Sequence, residues 1–272
     1  MKLAIYIGKE TVEQDSRVTG LFQTLRDAGM ELYELAYGES PTEDTDMLLS
    51  VGGDGTFLYS SKLVIDSGIP VMGVNLGRVG FLSENRPEDV ADALLSGEYT
   101  IENRAMLKVE VSHDVQQEHI VDYALNEITV HRNGAAMLGV DVDVDGVKLP
   151  TYWADGLVVS TSSGSTAYSL SVGGPIVLPE SKVLIISPIA PHNLNIRPLV
   201  VPDSSALTLK MHSRDGKFAL TADNRTIVVE EDVEVKIAVA QFSLKRVRLN
   251  TSNFINALTE KLFWGEDVRN IR

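Results

Sequence analysis

The chain has 272 residues, a formal net charge of −14 and no cysteine. That length can bury a sizeable core, as one large domain or two smaller ones. The missing cysteines exclude disulfides, thiolate catalysis and cysteine-type zinc sites, and fit a reducing, cytoplasmic setting. The acidic balance argues against a general binder of nucleic acid or anionic membrane, while leaving room for a local basic pocket that takes a phosphate-bearing ligand. No apolar run approaches the roughly 20 residues of a membrane-spanning helix.

Leu3–Ile7 reads as a first β-strand, not as a signal peptide, because no small-residue cleavage site follows it. Arg17–Ala28 places Val18, Leu21, Phe22 and Leu25 on one helical face, with Gly29 as the stop. Met30–Leu35 and Met47–Val51 are further strands. Thr56–Asp66 is a helix, Ile69–Val74 a strand, and Pro87–Leu95 a helix with proline in its first turn and Gly97 past its end. Strands alternating with helices imply parallel pairing. The pattern changes near residue 101. Lys108–His113, Tyr123–His131 and Val140–Val144 are rich in β-branched residues, and Asp145-Gly146 is a hairpin signal before Val147–Thr151. Val183–Ile186, Leu207–His212, Phe218–Ala222, Thr226–Val229 and Val233–Val239 continue the theme, with Asp215-Gly216 as another turn. Such spacing predicts a β-sandwich or a related all-β arrangement. Ser252–Phe263 reverts to helix, with Phe254, Ile255, Leu258 and Leu262 sharing a face.

The strand Met47–Val51 runs into Gly52-Gly53-Asp54-Gly55-Thr56, and a helix follows. Three glycines at such a corner let the backbone approach a ligand closely, and the free N–H groups at the helix start form an anion site. Gly52, Gly53, Gly55 and Thr56 are therefore candidate phosphate-binding residues. A carboxylate inside a phosphate cradle repels its ligand unless it holds Mg²⁺ or accepts a proton from an attacking hydroxyl, and both remain open for Asp54. A bare Asp-Gly would be read as a turn that starts a helix; the flanking Gly-Gly, strand and Thr favour phosphate binding. No Walker lysine follows, so charge neutralisation must come from elsewhere. A second glycine loop, Asn75-Leu76-Gly77-Arg78-Val79-Gly80-Phe81-Leu82, offers Arg78 as a phosphate contact. A solvated surface arginine explains Arg78 equally well.

Asn126-Glu127 sits in an apolar strand-like run. Adjacent residues there point to opposite faces, so one solvated face does not explain both. An Asn can fix an amide or ribose hydroxyl, and a Glu can accept from ribose hydroxyls; two exposed residues at a strand end are the plain alternative. Trp153-Ala154-Asp155-Gly156-Leu157 leads into Ser162-Ser163-Gly164-Ser165-Thr166-Ala167-Tyr168-Ser169, where hydroxyls are denser than a core needs. That block suits a polyhydroxylated or phosphorylated ligand, or a polar loop capping a helix from about Ser165 that ends at Gly173-Gly174-Pro175. The spacing of a Ser-His-Asp nucleophile elbow is missing. Asp155 can hydrogen-bond a ligand or simply turn the chain with Gly156. His192 is given no role, and Asp223-Asn224 reads as a plain hairpin turn.

In order, Gly52–Thr56, Asn126-Glu127, Asp155–Leu157 and Gly164–Tyr168 resemble the bacterial NAD kinase family over nearly the whole chain, and Phe263-Trp264-Gly265-Glu266-Asp267 looks like the ending of some members. The turn at Gly52–Thr56 is shared with lipid kinases and phosphofructokinases; the Asn-Glu pair and the Gly-Ser-Thr-Ala-Tyr block separate this family from them. The resemblance implies transfer of the γ-phosphoryl group of ATP to the 2′-hydroxyl of the adenosine ribose of NAD, with Mg²⁺ as cofactor. It implies Asp54 as proton acceptor, Gly55 beside the nucleotide, Asn126 and Glu127 holding NAD, and Asp155 near the nicotinamide end. Trp153 stands where some relatives bring an arginine. Thr166, Ala167, Tyr168 and Ser171, with Ser169 and Leu170 between them, match the adenosine-side loop, and Ala190 and Asn224 match further contacts. Trp153 and Asn224 are positions of variation. One departure is Thr161-Ser162-Ser163-Gly164, which lacks the proline common in this loop. The implied fold is a Rossmann-like α/β domain near 1–100, a β-sandwich near 101–250 and a last helix, 251–272, returning to the first domain. The implied assembly is a homodimer or homotetramer. The competing readings are a lipid or sugar kinase, which leaves the Asn-Glu pair unexplained, and a nucleotide-binding sensor without catalysis, against which Asp54 argues.

Overall fold

The computed structural model describes residues 1–9, 14–77, 80–112 and 122–265. Arg78, His113 at the end of an expected strand, and Glu266-Asp267 of the ending lie outside the described residues. The chain divides into two compact units, Met1–Asn103 with Leu244–Arg272, and Arg104–Ser243. Among the described residues no helix is long and apolar enough to cross a membrane.

The first unit is an α/β layer. Its strands are β1 (Lys2–Ile7), β2 (Glu31–Glu34), β3 (Met47–Val51) and β4 (Val71–Val74), in the order β2-β1-β3-β4. All pairs are parallel, and Arg246 and Val247 of a late strand extend the sheet beside β4. Every residue of β3 is buried, as expected of a parallel strand covered on both faces. Helix α1 (Ser16–Asp27) is capped by the Asp15 carboxylate and buries Val18, Leu21, Phe22 and Leu25, the face its periodicity predicts. Helix α2 (Asp54–Val64) starts two residues earlier than expected, directly on Asp54. Helix α3 (Pro87–Ser96) ends on Gly97 in the left-handed conformation. The core joins Leu3, Ile5, Leu25, Met47, Leu49, Met72 and Val247. Because β1 has β2 on one side and β3 on the other, the winding reverses between β1 and β3. The carboxyl ends of strands flanking such a reversal are where α/β sheets bind ligands, and Gly52–Thr56 begins there.

The second unit is an antiparallel β-sandwich. The strands that follow along the chain are β5 (Tyr99–Val111), β6 (Tyr123–Ala124), β7 (Glu127–Arg132), β8 (Leu138–Val144), β9 (Val147–Lys148), β10 (Tyr152–Ala154), β11 (Gly156–Thr161), β12 (Val183–Ile189), β13 (Leu199–Pro202), β14 (Leu207–Ser213), β15 (Lys217–Ala222), β16 (Arg225–Glu230) and β17 (Val235–Leu249). One sheet runs β13-β12-β11-β7-β15-β16; β10, β8, β14 and β17 line up in the other. Ile128, Val130, Leu157, Val159, Phe218 and Leu220 of the first sheet share a core with Val140, Val142, Leu207, Leu209, Val235 and Ile237 of the second. The Asp145-Gly146 hairpin has positive φ at both residues, which the tight turn between β8 and β9 requires.

Four local expectations change. Tyr123–His131 is not one strand: Leu125 and Asn126 lie in a bend between β6 and β7, so the opposite-face argument for Asn126 and Glu127 does not hold. The bend forms because the Asp223 carboxylate draws the amides of Leu125, Asn126 and Glu127 out of the ladder. The helix expected from Ser165 is a 3₁₀ turn, Ser163–Thr166, and a single helical turn, α4 (Tyr168–Ser171). Strand β17 runs ten residues beyond the expected end at Val239, because its far end alternates charged and apolar residues that pair with β4 and with the partly buried acids Glu84 and Glu102. In the last helix, α5 (Phe254–Leu262), Ala257 and Leu258 are buried while Ile255 and Leu262 are exposed, so the buried face is not the predicted stripe.

Candidate active site

Candidate residues occur in both units. In the first, Gly52 has φ 151°, a conformation that favours glycine, and a Cβ there would stand 2.3 Å from Thr56 Oγ1. Gly8, just after β1, would meet the same hydroxyl at 2.2 Å, so Thr56 packs into a gap left by two glycines. Gly53 is the N-cap of α2 and Asp54 its first residue, where the positive end of the helix favours a carboxylate. Gly55 has open space where a side chain would be.

Asp54 turns its carboxylate onto the second glycine loop. Oδ2 accepts from the amide of Phe81 at 2.9 Å, and Oδ1 accepts from Leu82 at 3.1 Å and Ser83 at 2.9 Å. Gly80 permits this approach, since a Cβ there would lie 1.8 Å from Oδ1. The loop is braced on both sides. Ser83 Oγ donates to the Gly52 carbonyl at 2.6 Å, Asn75 Nδ2 donates to the Ser83 carbonyl at 3.0 Å, and Asn85 Nδ2 donates to the Gly73 carbonyl at 2.8 Å. A carboxylate has about four lone-pair directions, so three amides leave Asp54 roughly one for a ligand.

Sequence reasoning left the missing Walker cation unplaced. Lys261 of α5 donates to the Gly80 carbonyl and stands over the Phe81 ring, 4.3 Å from its centroid. Burial pushes its amine below the usual lysine range, against the opposing pull of Glu84 and Asp54. Arg246 donates from Nε to the Leu82 carbonyl at 3.2 Å and from Nη2 to Glu84 at 2.6 Å.

In the second unit, Asn126 and Glu127 are buried. Their backbone is held by Asp223, whose Oδ1 accepts from Asn126 at 2.8 Å and Glu127 at 3.3 Å and whose Oδ2 accepts from Leu125 at 3.0 Å. Asp223 sits in the turn between β15 and β16 with φ 53°, and Arg225 stands 3.5 Å from its carboxylate. The turn read as a plain hairpin therefore shapes the Asn126-Glu127 corner; only a partner a hundred residues away would have revealed that. Asn224 beside it is exposed. Burial, then the nearby Asp223 charge, raises the Glu127 carboxyl to about 8, opposed by a hydrogen bond from the Tyr168 amide. Glu127 Oε2 is buried without a hydrogen-bond partner among the described residues. A buried acceptor without a donor is costly, and a ligand hydroxyl would satisfy it.

The hydroxyl-rich block is in large part its own scaffold, contrary to the expectation that no core needs such density. Thr161 Oγ1 donates to the Leu125 carbonyl at 2.7 Å, Ser165 Oγ donates to the Val177 carbonyl at 3.1 Å, and Ser162 Oγ donates to the Ser181 carbonyl. Ser169 Oγ lies 3.3 Å from Ser187 Oγ, fully buried. Gly164 comes so close to the Asn126 carbonyl that a Cβ would stand 2.1 Å from its oxygen. The block thus touches the Asn126-Glu127 corner through its backbone, while Thr166, Ala167, Tyr168, Leu170 and Ser171 keep accessible surface.

Asp155 is ion-paired with Arg132, Nε to Oδ1 at 3.0 Å. Its amide donates to the Ile189 carbonyl at 2.9 Å, beside Ala190, which carries φ 45°, a rare conformation for alanine. Trp153 exposes part of its ring and packs the rest on Gly139.

Two family models match the chain in order. The ATP-NAD kinase N-terminal domain matches residues 10–99, and the ATP-NAD kinase C-terminal domain matches residues 125–249. An NAD kinase of Flavobacterium psychrophilum is 42% identical over 83% of this chain and 78% of its own length. Among solved structures, an NAD kinase from Archaeoglobus fulgidus in complex with ATP superposes with a TM-score of 0.77 at 28% identity, covering 97% of this chain and 99% of that one. Yeast NADH kinase complexed with NADH gives a TM-score of 0.85 at 25% identity, covering 99% and 90%. The glycine turn bearing Asp54, the buried Asn126-Glu127 corner and these matches converge: the chain belongs to the NAD kinase family of phosphotransferases.

Proposed function

We propose that the chain transfers the γ-phosphoryl group of ATP to the 2′-hydroxyl of the adenosine ribose of NAD, with Asp54 orienting that hydroxyl for attack. The observation that carries this reading is the clamping of the Asp54 carboxylate by three backbone amides at the start of α2. Phosphoryl transfer asks a protein mainly to position groups and neutralise charge. A carboxylate fixed by three donors with one free lone pair suits the task of aiming a hydroxyl better than that of a strong base. Gly52, Gly53, Gly55 and Thr56 form the phosphate-facing turn, where the first N–H groups of α2 meet the anion. Arg78 is retained as a further phosphate contact. Asn126, Glu127, Asp155, Ala190, Asn224, Trp153, Thr166, Ala167, Tyr168, Leu170 and Ser171 are assigned to NAD, with Glu127 Oε2 accepting from a ribose hydroxyl, while Ser169, whose hydroxyl faces Ser187 inside the fold, is assigned to the scaffold of that loop.

Among the described residues no three His, Cys, Asp or Glu gather into a metal cage. This donor set fits Mg²⁺ carried by the nucleotide phosphates, since the one lone pair left on Asp54 is taken by the hydroxyl it aims. When bound, Mg²⁺ neutralises charge on the transferred phosphoryl group. Assembly as a homodimer or homotetramer and a cytoplasmic location belong to the same reading. The NADH bound to the yeast relative supports NADH as a second acceptor.

The test is a coupled assay for NADP formed from NAD, ATP and Mg²⁺, run on the wild type and on Asp54→Asn. Turnover by the wild type and its loss by orders of magnitude in the variant, with NAD binding retained, is the expected result. No NADP from the wild type overturns the activity; full turnover by the variant overturns the role of Asp54.

A further inference from the structure

The loop that clamps Asp54 is itself held from its other side. The peptide group joining Gly80 to Phe81 gives its N–H to Asp54 Oδ2 and its carbonyl to the Lys261 ammonium. The peptide group joining Leu82 to Ser83 gives its N–H to Asp54 Oδ1 and its carbonyl to the Arg246 guanidinium. Each peptide therefore bridges a cation and the carboxylate, with its dipole aligned to both. Hydrogen bonds in such a chain polarise and strengthen one another, more so away from water. Lys261 is further seated by the Phe81 ring under its ammonium, and that ring packs against Phe254, centroid to centroid 6.0 Å. The two cations have different standing. Arg246 is almost wholly buried and also binds Glu84 and Glu102, so it is tied into the fold. Lys261 is half-buried at the end of α5, and its one hydrogen bond among the described residues is to the Gly80 carbonyl.

We propose that Lys261 is a positioning residue for the phosphoryl-transfer reaction: from the last helix it holds the Gly80–Phe81 peptide, and through that peptide fixes the Asp54 carboxylate in the orientation that turnover requires. The cation absent from the glycine turn is thus supplied from the far end of the sequence, and it works on the carboxylate instead of replacing a Walker lysine. The groups facing Lys261 are Glu84, Asp54, Arg246 and Glu260, so its charge also offsets the acidic side of this cluster.

This proposal rests on Asp54 as the orienting carboxylate, and its test separates the two. Lys261→Met keeps the stem over Phe81 and removes the charge; Lys261→Arg restores a donor. In the whole chain, kcat, the KM for NAD and ATP, the melting temperature and amide hydrogen exchange at Phe81 and Leu82 are measured for each. Lys261→Met should stay folded, lower kcat by roughly 10- to 100-fold with KM for NAD unchanged, and speed exchange at Phe81; Lys261→Arg should recover both. Unchanged kcat and exchange overturn the proposal. So does a variant that fails to fold, or an equal loss in NAD affinity, because each means that Lys261 is merely structural. The exchange data stand even if Asp54→Asn retains turnover, in which case the function reading fails and the grip of Lys261 on the loop is still decided.

Discussion

Gly80 and Asp54 occupy one space: a single added carbon at Gly80 would stand 1.8 Å from the Asp54 Oδ1 oxygen. The glycine is required by what approaches it, since only a bare backbone lets the carboxylate reach the amides beyond. Gly80→Ala must push the carboxylate out of its three hydrogen bonds. Turnover should fall on the order of 100-fold, since displacements near 1 Å carry that cost. NAD affinity, measured by calorimetry, should stay near that of the wild type.

Asp223→Ala removes the acceptor that organises Leu125, Asn126 and Glu127 and takes the carboxylate away from the half-buried Arg225. Three stranded amides and a weakened cation site should cost about 3 kcal/mol or more, read from denaturant unfolding. In a variant that stays folded at low temperature, KM for NAD should rise by at least about tenfold while KM for ATP changes little.

Glu127 sets a pH dependence. Its carboxyl is raised from 4.5 to about 8 in the folded chain. Between those values the folded chain holds a proton that the unfolded chain has lost. The associated stability is full below pH 4.5 and drains away as the pH climbs through 8. Glu127→Gln should therefore flatten the decline of the unfolding free energy with rising pH, by an amount on the order of a few kcal/mol, read from denaturant unfolding at several pH values. A ribose hydroxyl donated to Oε2 favours the ionised form, so NAD binding at neutral pH should release protons. Calorimetry in two buffers of different ionisation enthalpy reads that release directly, and zero release contradicts the contact.

Ser169 separates scaffold from ligand contact. Its hydroxyl faces Ser187 inside the fold. Ser169→Ala should cost about 1 kcal/mol of stability and leave kcat and both KM values unchanged. A rise in KM for NAD without loss of stability would return Ser169 to the ligand.

The parts legible in the sequence were those that a local rule dictates. The glycines of Gly52–Thr56 announce a strand-to-helix corner, the periodicity of α1 names its buried face, and Asp145-Gly146 declares its own hairpin. What stayed hidden depends on partners distant in the chain. The bend at Asn126 needs Asp223, the orientation of Asp54 needs Gly80–Ser83, and Lys261 looks like any helix-end lysine until Gly80 is placed beside it. The serines of 162–169 misled for a related reason: a hydroxyl that serves a ligand and one that satisfies a buried carbonyl look alike before the fold is known.

The sheet of the first unit closes with Arg246 and Val247 against β4, residues synthesised long after β1 to β4. On the ribosome, therefore, β4 emerges as an open edge and waits for every residue between Val74 and Arg246 to be made before its last strand arrives. The Asp54 loop lacks Arg246 and Lys261 for the same interval. A chain cut short anywhere in the second unit would carry every glycine of the phosphate turn and still lack the strand and the two cations that hold the Asp54 loop, so the order of synthesis ties activity to the arrival of Arg246 and Lys261.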